Sequence, residues 1–406
     1  MVRSAERTRA AATGEEGVAQ RQQMRKSLCE RGGESLRPLR ASLASCVSRP
    51  LSLSCLPLSR SIAVDMTQAP AFTIRTELVS DQPMICSLHT DVFERAAEAA
   101  ITAMLRARSQ YDPTLSFVAA CADATIIGHA LFSPYTLWLR GEPLNALSLA
   151  PVGVHPQHQR CGVGSRLIER GIADARERGF DLCFVLGHPG YYDKRFAFES
   201  KAFGTSILRL SLQELARVAV DTVLPVLETR QPRSSDAVAL AQLWLACESA
   251  VDFSLEPGAR LTDWLSPNPS IECLVFVDRG TVVGYSRHAR ANTLQPRQML
   301  VASVTVALAM AALLSQLHES RSSGDPSKTP AEVIELPLHP SSTVTAQLRE
   351  LFRSAEISST PHEACMALPL SPKGERCFRE YRLLLQQGSI PCGRPIWPPV
   401  FDLGTH

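Results

Sequence analysis

Apolar and polar positions become regular from residue 72 onward. Residues 72–78 alternate between apolar and polar, which predicts a half-buried strand, and residues 79–108 carry the apolar spacing of a helix. Two runs rich in β-branched and aromatic residues, 115–121 and 125–138, flank a three-residue turn and predict a hairpin. The regular part of the chain therefore begins as strand, helix and hairpin.

A strand, a glycine-containing loop and a helix follow. Residues 144–154 predict the strand, and helical spacing after the loop continues to Arg178. Gly179 suits the left-handed position that ends many helices, and residues 182–186 predict a short buried strand. This order predicts a mixed α/β layer fold, in which ligands usually bind at strand ends.

Much of this order recurs further along the chain. Residues 235–250 predict a helix, and residues 271–277 and 281–285 predict a second hairpin. The run TIIGH at 125–129 has a counterpart in TVVGY at 281–285, and His188-Pro189 has one in His339-Pro340. Matches in the same order at similar offsets predict a duplicated domain.

We therefore predict three segments. Residues 70–215 form the first domain, and residues 228–406 form a second, related domain. Within the second, residues 391–402 are expected to be an extended segment on the domain surface. Residues 1–65 lack a periodic apolar pattern and are expected not to fold alone. They are interpreted as a transit peptide, a dispensable leader, or translated upstream sequence with Met66 as the start.

Composition places the protein among globular, intracellular proteins. Hydrophobic residues make up 45% of the 406 residues and charged residues 20%, with a net charge of +2. Eleven basic and five acidic residues fall in 1–64, so the remainder is slightly acidic and nucleic-acid binding is not expected. The twelve cysteines show no zinc-ligand spacing, so neither a metal site nor a disulfide framework is predicted. We expect a cytoplasmic protein, or a mitochondrial one if residues 1–65 are a transit peptide.

One uncharged stretch, residues 299–317, is long enough to raise the question of a membrane span. It is rich in Ala, Ser and Thr, and no aromatic belt flanks it. A buried strand and helix is the favoured interpretation, and no membrane association is expected.

The loop after the strand at 144–154 carries the most informative motif. Gln159-Arg160-Cys161-Gly162-Val163-Gly164 turns the chain into a helix, whose first amides and positive dipole end suit phosphate groups. No Gly-Lys-Ser/Thr follows, and the pattern is not GxGxxG, so neither a Walker loop nor a dinucleotide fingerprint is present. The residues alone leave an ordinary strand-to-helix turn open.

In context, this loop resembles the acyl-CoA loop of the GCN5-related N-acetyltransferase (GNAT) superfamily. Downstream, LGHPGYY at 186–192 and RFAF at 195–198 are similar to a signature of its YhbS-like branch. The resemblance covers residues 72 to about 205. It implies an acyl-CoA N-acyltransferase fold, acetyl-CoA as cosubstrate, and direct transfer to an amine.

The resemblance also implies a binding role for ten residues. The pantetheine arm would lie along the backbone of the predicted strand, and the pyrophosphate would rest on the loop amides. Carried over by position, the cofactor-binding residues are Val152, Gly153, Val154, Gln159, Arg160, Cys161, Gly162, Val163, Gly164 and Ser165.

The catalytic residues are less evident. An amine with a pKa near 10.4 is about a thousandth neutral at pH 7.4, so a proton must be removed. Residues 144–154 contain no carboxylate, which leaves His155 and His188 as candidate bases, each with a structural role as the alternative. The resemblance implies that Tyr192, or Tyr191, protonates the CoA thiolate; a ring packed under the loop is the alternative. Cys161 has no evident base partner and is not expected to be a nucleophile.

Two departures limit the resemblance. Asp193-Lys194 occupies an interval where the family usually has one residue, and Ala197 stands where it usually has Gly. Residues 301–308 lack the glycine motif, which predicts a degenerate second domain that shapes the acceptor cleft or mediates homodimer formation. The predicted function is an acetyl-CoA-dependent N-acetyltransferase acting on a small-molecule or peptide amine. The alternative is an acyl-CoA-binding pseudoenzyme that acts as a sensor or scaffold.

Overall fold

The computed structural model describes residues 71–322 and 331–404, so the predictions on residues 1–65 lie outside the described residues. The described strands are β1 (Phe72–Thr76), β2 (Ser116–Cys121), β3 (Ile126–Leu139), β4 (Glu142–Val154), β5 (Leu182–Leu186), β6 (Gly204–Ser211), β7 (Glu228–Arg230), β8 (Ser254–Leu255), β9 (Ile271–Asp278), β10 (Thr281–Ala289), β11 (Gln298–Val301), β12 (Val333–Leu336), β13 (Glu356–Pro361) and β14 (Cys365–Pro369). The described α-helices are α1 (Gln82–Phe93), α2 (Ala97–Arg106), α3 (Val163–Glu177), α4 (Tyr192–Phe196), α5 (Leu212–Asp221), α6 (Ala237–Glu248), α7 (Val304–Ser322), α8 (Thr343–Leu351) and α9 (Pro372–Gln386).

The largest sheet has the order β1-β2-β3-β4-β5-β14, with β8 added beside β3. Its neighbouring strands are antiparallel except β4 and β5, which run parallel. A second sheet has the order β11-β10-β9-β7, and a third has the order β12-β6-β13. The mixed α/β fold predicted from the hydrophobic pattern is confirmed.

Strands from the two predicted domains are exchanged. β6 follows β5 and α4 in the chain, yet it pairs with β12 and β13, so Leu208 lies opposite both Leu336 and Ile357. β14, from the far end of the chain, takes the place beside β5, with Cys365 opposite Leu186. The two predicted domains, residues 70–215 and 228–406, therefore contribute strands to the same sheets. The domain boundary between residues 215 and 228 stays a prediction.

A repeated ion pair supports the predicted duplication. In β1, Arg75 forms two hydrogen bonds with Asp81, at 2.6 and 3.0 Å. At the end of β7, Arg230 forms the same two bonds with Asp236, at 2.6 and 2.8 Å. In each case the aspartate also accepts a hydrogen bond from the backbone amide three residues before it, at the entry to α1 and α6 respectively. The duplication itself stays a prediction.

The helical pattern over residues 79–108 forms two helices, so the expectation of one continuous helix is wrong. Glu94 follows α1 with a φ of 54°, in the left-handed region, and ends it. The break redirects the chain, so that α1 buries Ile85 and Leu88 while α2 buries Ile101 and Leu105 in a separate apolar cluster. Packing of the two short helices in separate apolar clusters outweighs the continuity of the local pattern.

Close packing fixes α3 against the main sheet. Val163, Leu167 and Ile168 belong to the cluster that includes Phe117 and Phe132 of β2 and β3. At Gly171 of this helix, an added Cβ would lie 2.0 Å from the ring of Phe132, so only glycine allows this approach. The position of the first turn of α3 is therefore set by the core.

Residues 299–317 form the buried strand and helix favoured by the sequence. Met299 and Leu300 of β11 are buried, as are Leu308 and Leu314 of α7. Within residues 71–322 and 331–404, no helix combines the length and apolarity needed to cross a membrane.

The segment 391–402 is buried, so its expected place on the surface is wrong. Cys392, Arg394 and Asp402 are at most 4% exposed, and Phe401 packs against α2 in the cluster of Ile101. The apolar side chains of this segment enter the core because residues from both predicted domains surround it. The sequence of the segment itself does not show which residues surround it.

Candidate acyl-CoA site

The gap between β4 and β5 is the first element of the site. The two strands pair only where Ala146–Ser148 face Leu182–Phe184, and they separate beyond that point. Val152, Gly153 and Val154 pair with β3 on one side; among the described residues, no strand covers their other edge. The free backbone groups of this edge can accept and donate hydrogen bonds to an extended ligand.

The loop that follows β4 is shaped by two residues with positive φ. Arg160 has a φ of 61° and Gly162 one of 82°. The side chain of Gln159 donates a hydrogen bond to the backbone oxygen of Val154 at 3.1 Å and ties the loop to the strand. Successive turns of this kind direct backbone amides to one side and form a concave anion site.

The first turn of α3 completes this concave surface. The amide of Arg166 donates to the oxygen of Gly162 at 3.0 Å, and the amides that precede it lack acceptors within the helix. Val163 is buried, whereas Gly164 and Ser165 are half-buried. The predicted loop residues are thus brought together around the positive end of a fifteen-residue helix.

Tyr191 lies at the loop of residues 159–165 that leads into α3, called the phosphate loop below because it is the candidate pyrophosphate site. Its hydroxyl is 3.4 Å from Oγ of Ser165, and a Cβ at Gly164 would lie 3.3 Å from it. Arg195 donates from Nη1 to Oγ of Ser165 at 3.2 Å and so brings a positive charge to the same turn. Arg195 was not singled out from the sequence, although it stands in the RFAF run, which could have indicated it.

Tyr192 lies deeper than Tyr191. It is 8% exposed, and its ring packs against Phe196, Phe198 and the backbone of Gly187, where a Cβ would come within 2.3 Å. Burial raises the pKa of its hydroxyl well above 10. Such a phenol is protonated at neutral pH.

The two histidines chosen from the sequence lie in different settings. His155 is half-buried, and its Nδ1 accepts from the amide of Gln157 at 3.4 Å, so it caps the turn after β4. His188 is exposed beyond the end of β5. Cys161 is exposed in the loop, with its Sγ 3.4 Å from the oxygen of Gln159.

A buried chain of polar groups, missed in the sequence, crosses the sheet toward Gly153. Nε2 of His89, on α1, lies 2.7 Å from Nδ1 of His129, on β3. Nε2 of His129 lies 2.9 Å from Oγ of Ser116 on β2, and that hydroxyl donates to the carboxylate of Glu77. Isolated histidines in apolar runs carry no signal for such pairing, because the contact depends on how α1 packs on the sheet.

The hydrogen-bond directions assign the tautomers of this chain. The Ser116 hydroxyl gives its proton to Glu77, so its oxygen accepts from Nε2–H of His129. Nδ1 of His129 then accepts from Nε2–H of His89, which leaves Nδ1 of His89 with a lone pair. This atom has no hydrogen-bond partner among the described residues, and a Cβ at Gly153 would lie 3.0 Å from it.

Burial keeps the imidazoles of the chain neutral. Burial, together with His129 and Arg106, lowers the pKa of His89 to about 3, and burial also lowers the pKa of His129. Burial alone would raise the pKa of Glu77, but hydrogen bonds from His129, Arg106 and Ser116 outweigh it and hold that pKa far below 4.5. Glu77 is therefore a carboxylate that orients the chain.

The corresponding turn of the second sheet differs. Between β11 and α7 the chain has Ala302-Ser303, and Oγ of Ser303 accepts a hydrogen bond from the amide of Val306 at 3.3 Å. A side chain of the protein itself therefore satisfies an amide that a phosphate would need.

Comparisons with known proteins agree with this geometry. Residues 83–192 match the Acetyltransferase (GNAT) family. The N-acetyltransferase YjhQ of Escherichia coli K12 is 38% identical over 130 residues, which cover 32% of this chain and 70% of YjhQ. YhbS of the same organism is 33% identical over 129 residues, covering 32% of this chain and 74% of YhbS.

A solved structure extends the likeness in fold to most of the chain. The GCN5-related N-acetyltransferase from Kribbella flavida covers 75% of this chain and 73% of its own, with 14% identity and a TM-score of 0.54. At that identity the likeness concerns the fold alone. The similarity to YhbS agrees with the resemblance to the YhbS-like branch seen in residues 186–198. Because YjhQ and YhbS match over most of their own lengths at more than 30% identity, the chain belongs to the GNAT family of N-acetyltransferases.

Proposed function

We propose that the protein transfers an acetyl group from acetyl-CoA to a primary amine by direct attack of the amine on the thioester. The observation that carries the proposal is the continuity of one surface. The free edge of β4 at Val152–Val154 leads directly to the amides at the start of α3. An extended pantetheine arm that ends in a pyrophosphate needs a strand edge followed by an anion site.

The loop supplies charge as well as shape. The dipole of α3 and the unpaired amides of Cys161–Ser165 favour a pyrophosphate, and such a helix terminus contributes about 0.3–1 kcal/mol per charge at a solvated site. Arg160 is exposed within the loop, and Arg195 reaches it through Ser165. Tyr191, whose hydroxyl lies at this turn, is assigned to binding.

Tyr192 is assigned as the acid that protonates the departing thiolate. Burial keeps this phenol protonated at neutral pH, so a proton is available when the C–S bond breaks, although the raised pKa makes it a weaker acid than an ordinary tyrosine. A purely structural role of the buried ring is the alternative, and Tyr192→Phe distinguishes the two.

Three histidines are candidates for removing the amine proton. His155 and His188 follow from the sequence. His89 is the third candidate: its Nδ1 keeps a free lone pair beside Gly153, but the ring is fully buried and its pKa is lowered to about 3, so the charge it gains depends on Glu77 behind it for stabilisation. In this scheme the amine transfers a proton to the base, through one water where the base is His89, and its nitrogen attacks the carbonyl carbon. The nitrogen loses its second proton to solvent as the tetrahedral adduct collapses. CoA then leaves as a thiolate and is protonated.

The second sheet is assigned a non-catalytic role, because Ser303 caps the turn where a phosphate would bind. Calorimetric titration of the full chain with acetyl-CoA tests this assignment, because it gives the number of acetyl-CoA molecules bound per chain. A thiol-release assay on a panel of primary amines tests the proposed function. We expect one acetyl-CoA per chain and amine-dependent thiol release. Binding without release from any amine would support the alternative, an acyl-CoA-binding pseudoenzyme, and two molecules per chain would show that the second turn binds CoA.

A further inference from the structure

A cavity of about 330 Å³ lies where β6, β10 and the segment 394–402 meet, apart from the phosphate loop. Much of its wall is apolar and includes Ile207, Ile396, Trp397 and Phe401. Its volume is at the lower end of the range of small-molecule sites. A pocket of this size admits a small organic molecule.

The charged groups in its wall are unbalanced. Among the residues that the structure describes, three arginines line the cavity, Arg287, Arg297 and Arg394, against a single carboxylate, that of Asp402. Arg394 is paired outside the wall, since it forms two hydrogen bonds to Glu248 at 2.9 and 3.1 Å. Arg287 and Arg297 are left to share Asp402.

Neither oxygen of Asp402 satisfies both arginines. Nη1 of Arg297 donates to Oδ1 at 3.0 Å, whereas Nη1 of Arg287 lies 3.4 Å from Oδ2 and forms no hydrogen bond with it. Arg287 donates from Nη2 to the backbone oxygen of Trp397, but its Nε and Nη1 have no acceptor among the described residues. Arg287 is only 2% exposed.

A guanidinium is charged at every physiological pH, and a buried one normally has a full counter-charge. Here two guanidinium groups share one carboxylate, so the cavity carries the equivalent of one unpaired positive charge. The remaining wall is largely apolar, with Thr205 and Ser206 as its uncharged polar side chains. We propose that this cavity binds a small monocarboxylate with an apolar body, whose carboxylate binds Arg297 and shares Arg287 with Asp402.

One residue of the cavity wall contacts the strand beside the proposed transfer site. The ring of Trp397 packs on Phe184 of β5, with centroids 6.0 Å apart, and Phe184 lies opposite Ser148 at the point where β4 and β5 separate. The carboxylate could thus belong to the acceptor amine, as in an amino acid, or to a separate ligand. Assignment to the acceptor rests on the proposed function; binding of the carboxylate does not.

Phenylacetate is the probe, titrated into the full chain and followed by calorimetry and ligand-observed NMR, with neutral phenylacetamide as the isosteric comparison. We expect saturable binding of phenylacetate and at least tenfold weaker binding of phenylacetamide. Arg297→Gln should weaken phenylacetate at least tenfold, because Arg297 is the more exposed of the two guanidinium groups. Asp402→Asn should tighten it several-fold, because the competing carboxylate is removed.

Arg209→Gln is the matched control: Arg209 is also a partly exposed arginine paired with one carboxylate, but it does not line the cavity. It should leave phenylacetate binding unchanged. The proposal is overturned if phenylacetate does not bind, if the amide binds as well, or if Arg297→Gln and Arg209→Gln behave alike. Binding of inorganic phosphate without phenylacetate would also overturn it.

Two amines identify the source of the carboxylate. If phenylalanine releases thiol from acetyl-CoA with a lower KM than phenylethylamine, and Arg297→Gln removes that advantage, the carboxylate is part of the acceptor. If phenylacetate binds and neither amine reacts, the site holds a separate carboxylate. Both results support the binding site, and acetyl-CoA titration of the same samples reports on the proposed function independently.

Discussion

Nε2 of His89 lies 2.7 Å from Nδ1 of His129, and this contact links α1 to the strand that pairs with Gly153. Through Ser116 the chain reaches Glu77, which also accepts hydrogen bonds from Arg106 and Tyr111. Polar groups on α1, β2, β3 and the turn before α1 are thereby linked in a chain that ends at Nδ1 of His89 beside Gly153. Their order gives the first prediction.

His89→Gln should lower turnover by about 10²-fold at neutral pH, within the range ascribed to a general base, and leave acetyl-CoA affinity unchanged. The defect should shrink as pH rises toward the pKa of the amine, because the amine then loses its proton without help. Rates measured from pH 6.5 to 9.5 check this. His155→Gln and His188→Gln are the comparisons. If one of them shows a pH-dependent loss of turnover and His89→Gln does not, that histidine is the general base and the assignment to His89 is wrong.

Gly162→Val should weaken acetyl-CoA binding by at least tenfold. Its φ of 82° strains any side chain, and a branched Cβ would obstruct backbone approach to the pyrophosphate. Gly179→Val is a matched control at the other end of α3, where φ is 75° and, as at Gly162, no atom lies within 4 Å of an added Cβ. Both variants should lose stability, but calorimetry should show lost acetyl-CoA affinity only for Gly162→Val; equal affinities would refute the loop assignment.

The two adjacent tyrosines should separate binding from turnover. Tyr192→Phe should reduce kcat about 10²-fold with little effect on acetyl-CoA affinity, since it removes a proton donor and preserves the packed ring. Tyr191→Phe should mainly weaken binding, since its hydroxyl lies at Ser165. The pair is compared by thiol release and calorimetry. Full activity of Tyr192→Phe would leave that ring with a packing role only.

Stability should fall on mild acidification. The folded-state pKa of His89, about 3, lies below the ordinary value of 6.5, so its contribution is complete above pH 6.5 and is lost as pH falls toward 3. His339, with a pKa lowered by burial to about 4, acts in the same direction. Each group adds a slope of up to about 1.4 kcal/mol per pH unit between its two pKa values.

Urea unfolding at pH 7, 6 and 5 measures this slope. His89→Gln should flatten it, because the unfolded chain then gains one proton fewer. His188→Gln removes an exposed imidazole and should leave the slope of the native protein unchanged. A parallel pH dependence in His89→Gln and the native protein would show that His89 is not buried in the neutral form.

Local sequence determined the elements that carry the cofactor loop. Alternation and β-branching suffice to predict the strand now observed as β4, and the glycines mark the turn into α3, because both depend on near neighbours in the chain. The family resemblance likewise rests on contiguous runs, Gln159 to Gly164 and residues 186–198.

Tertiary structure decided what distant segments do to one another. The exchange of β6 and β14 between the sheets, the alignment of His89 with His129, and the burial of Arg287 beside Asp402 each join residues that are far apart in sequence. Sequence periodicity reports which face of an element is apolar, but not which element covers it. The candidate cofactor loop could thus be predicted from the sequence, whereas the polar chain and the charged cavity depend on packing across the whole fold.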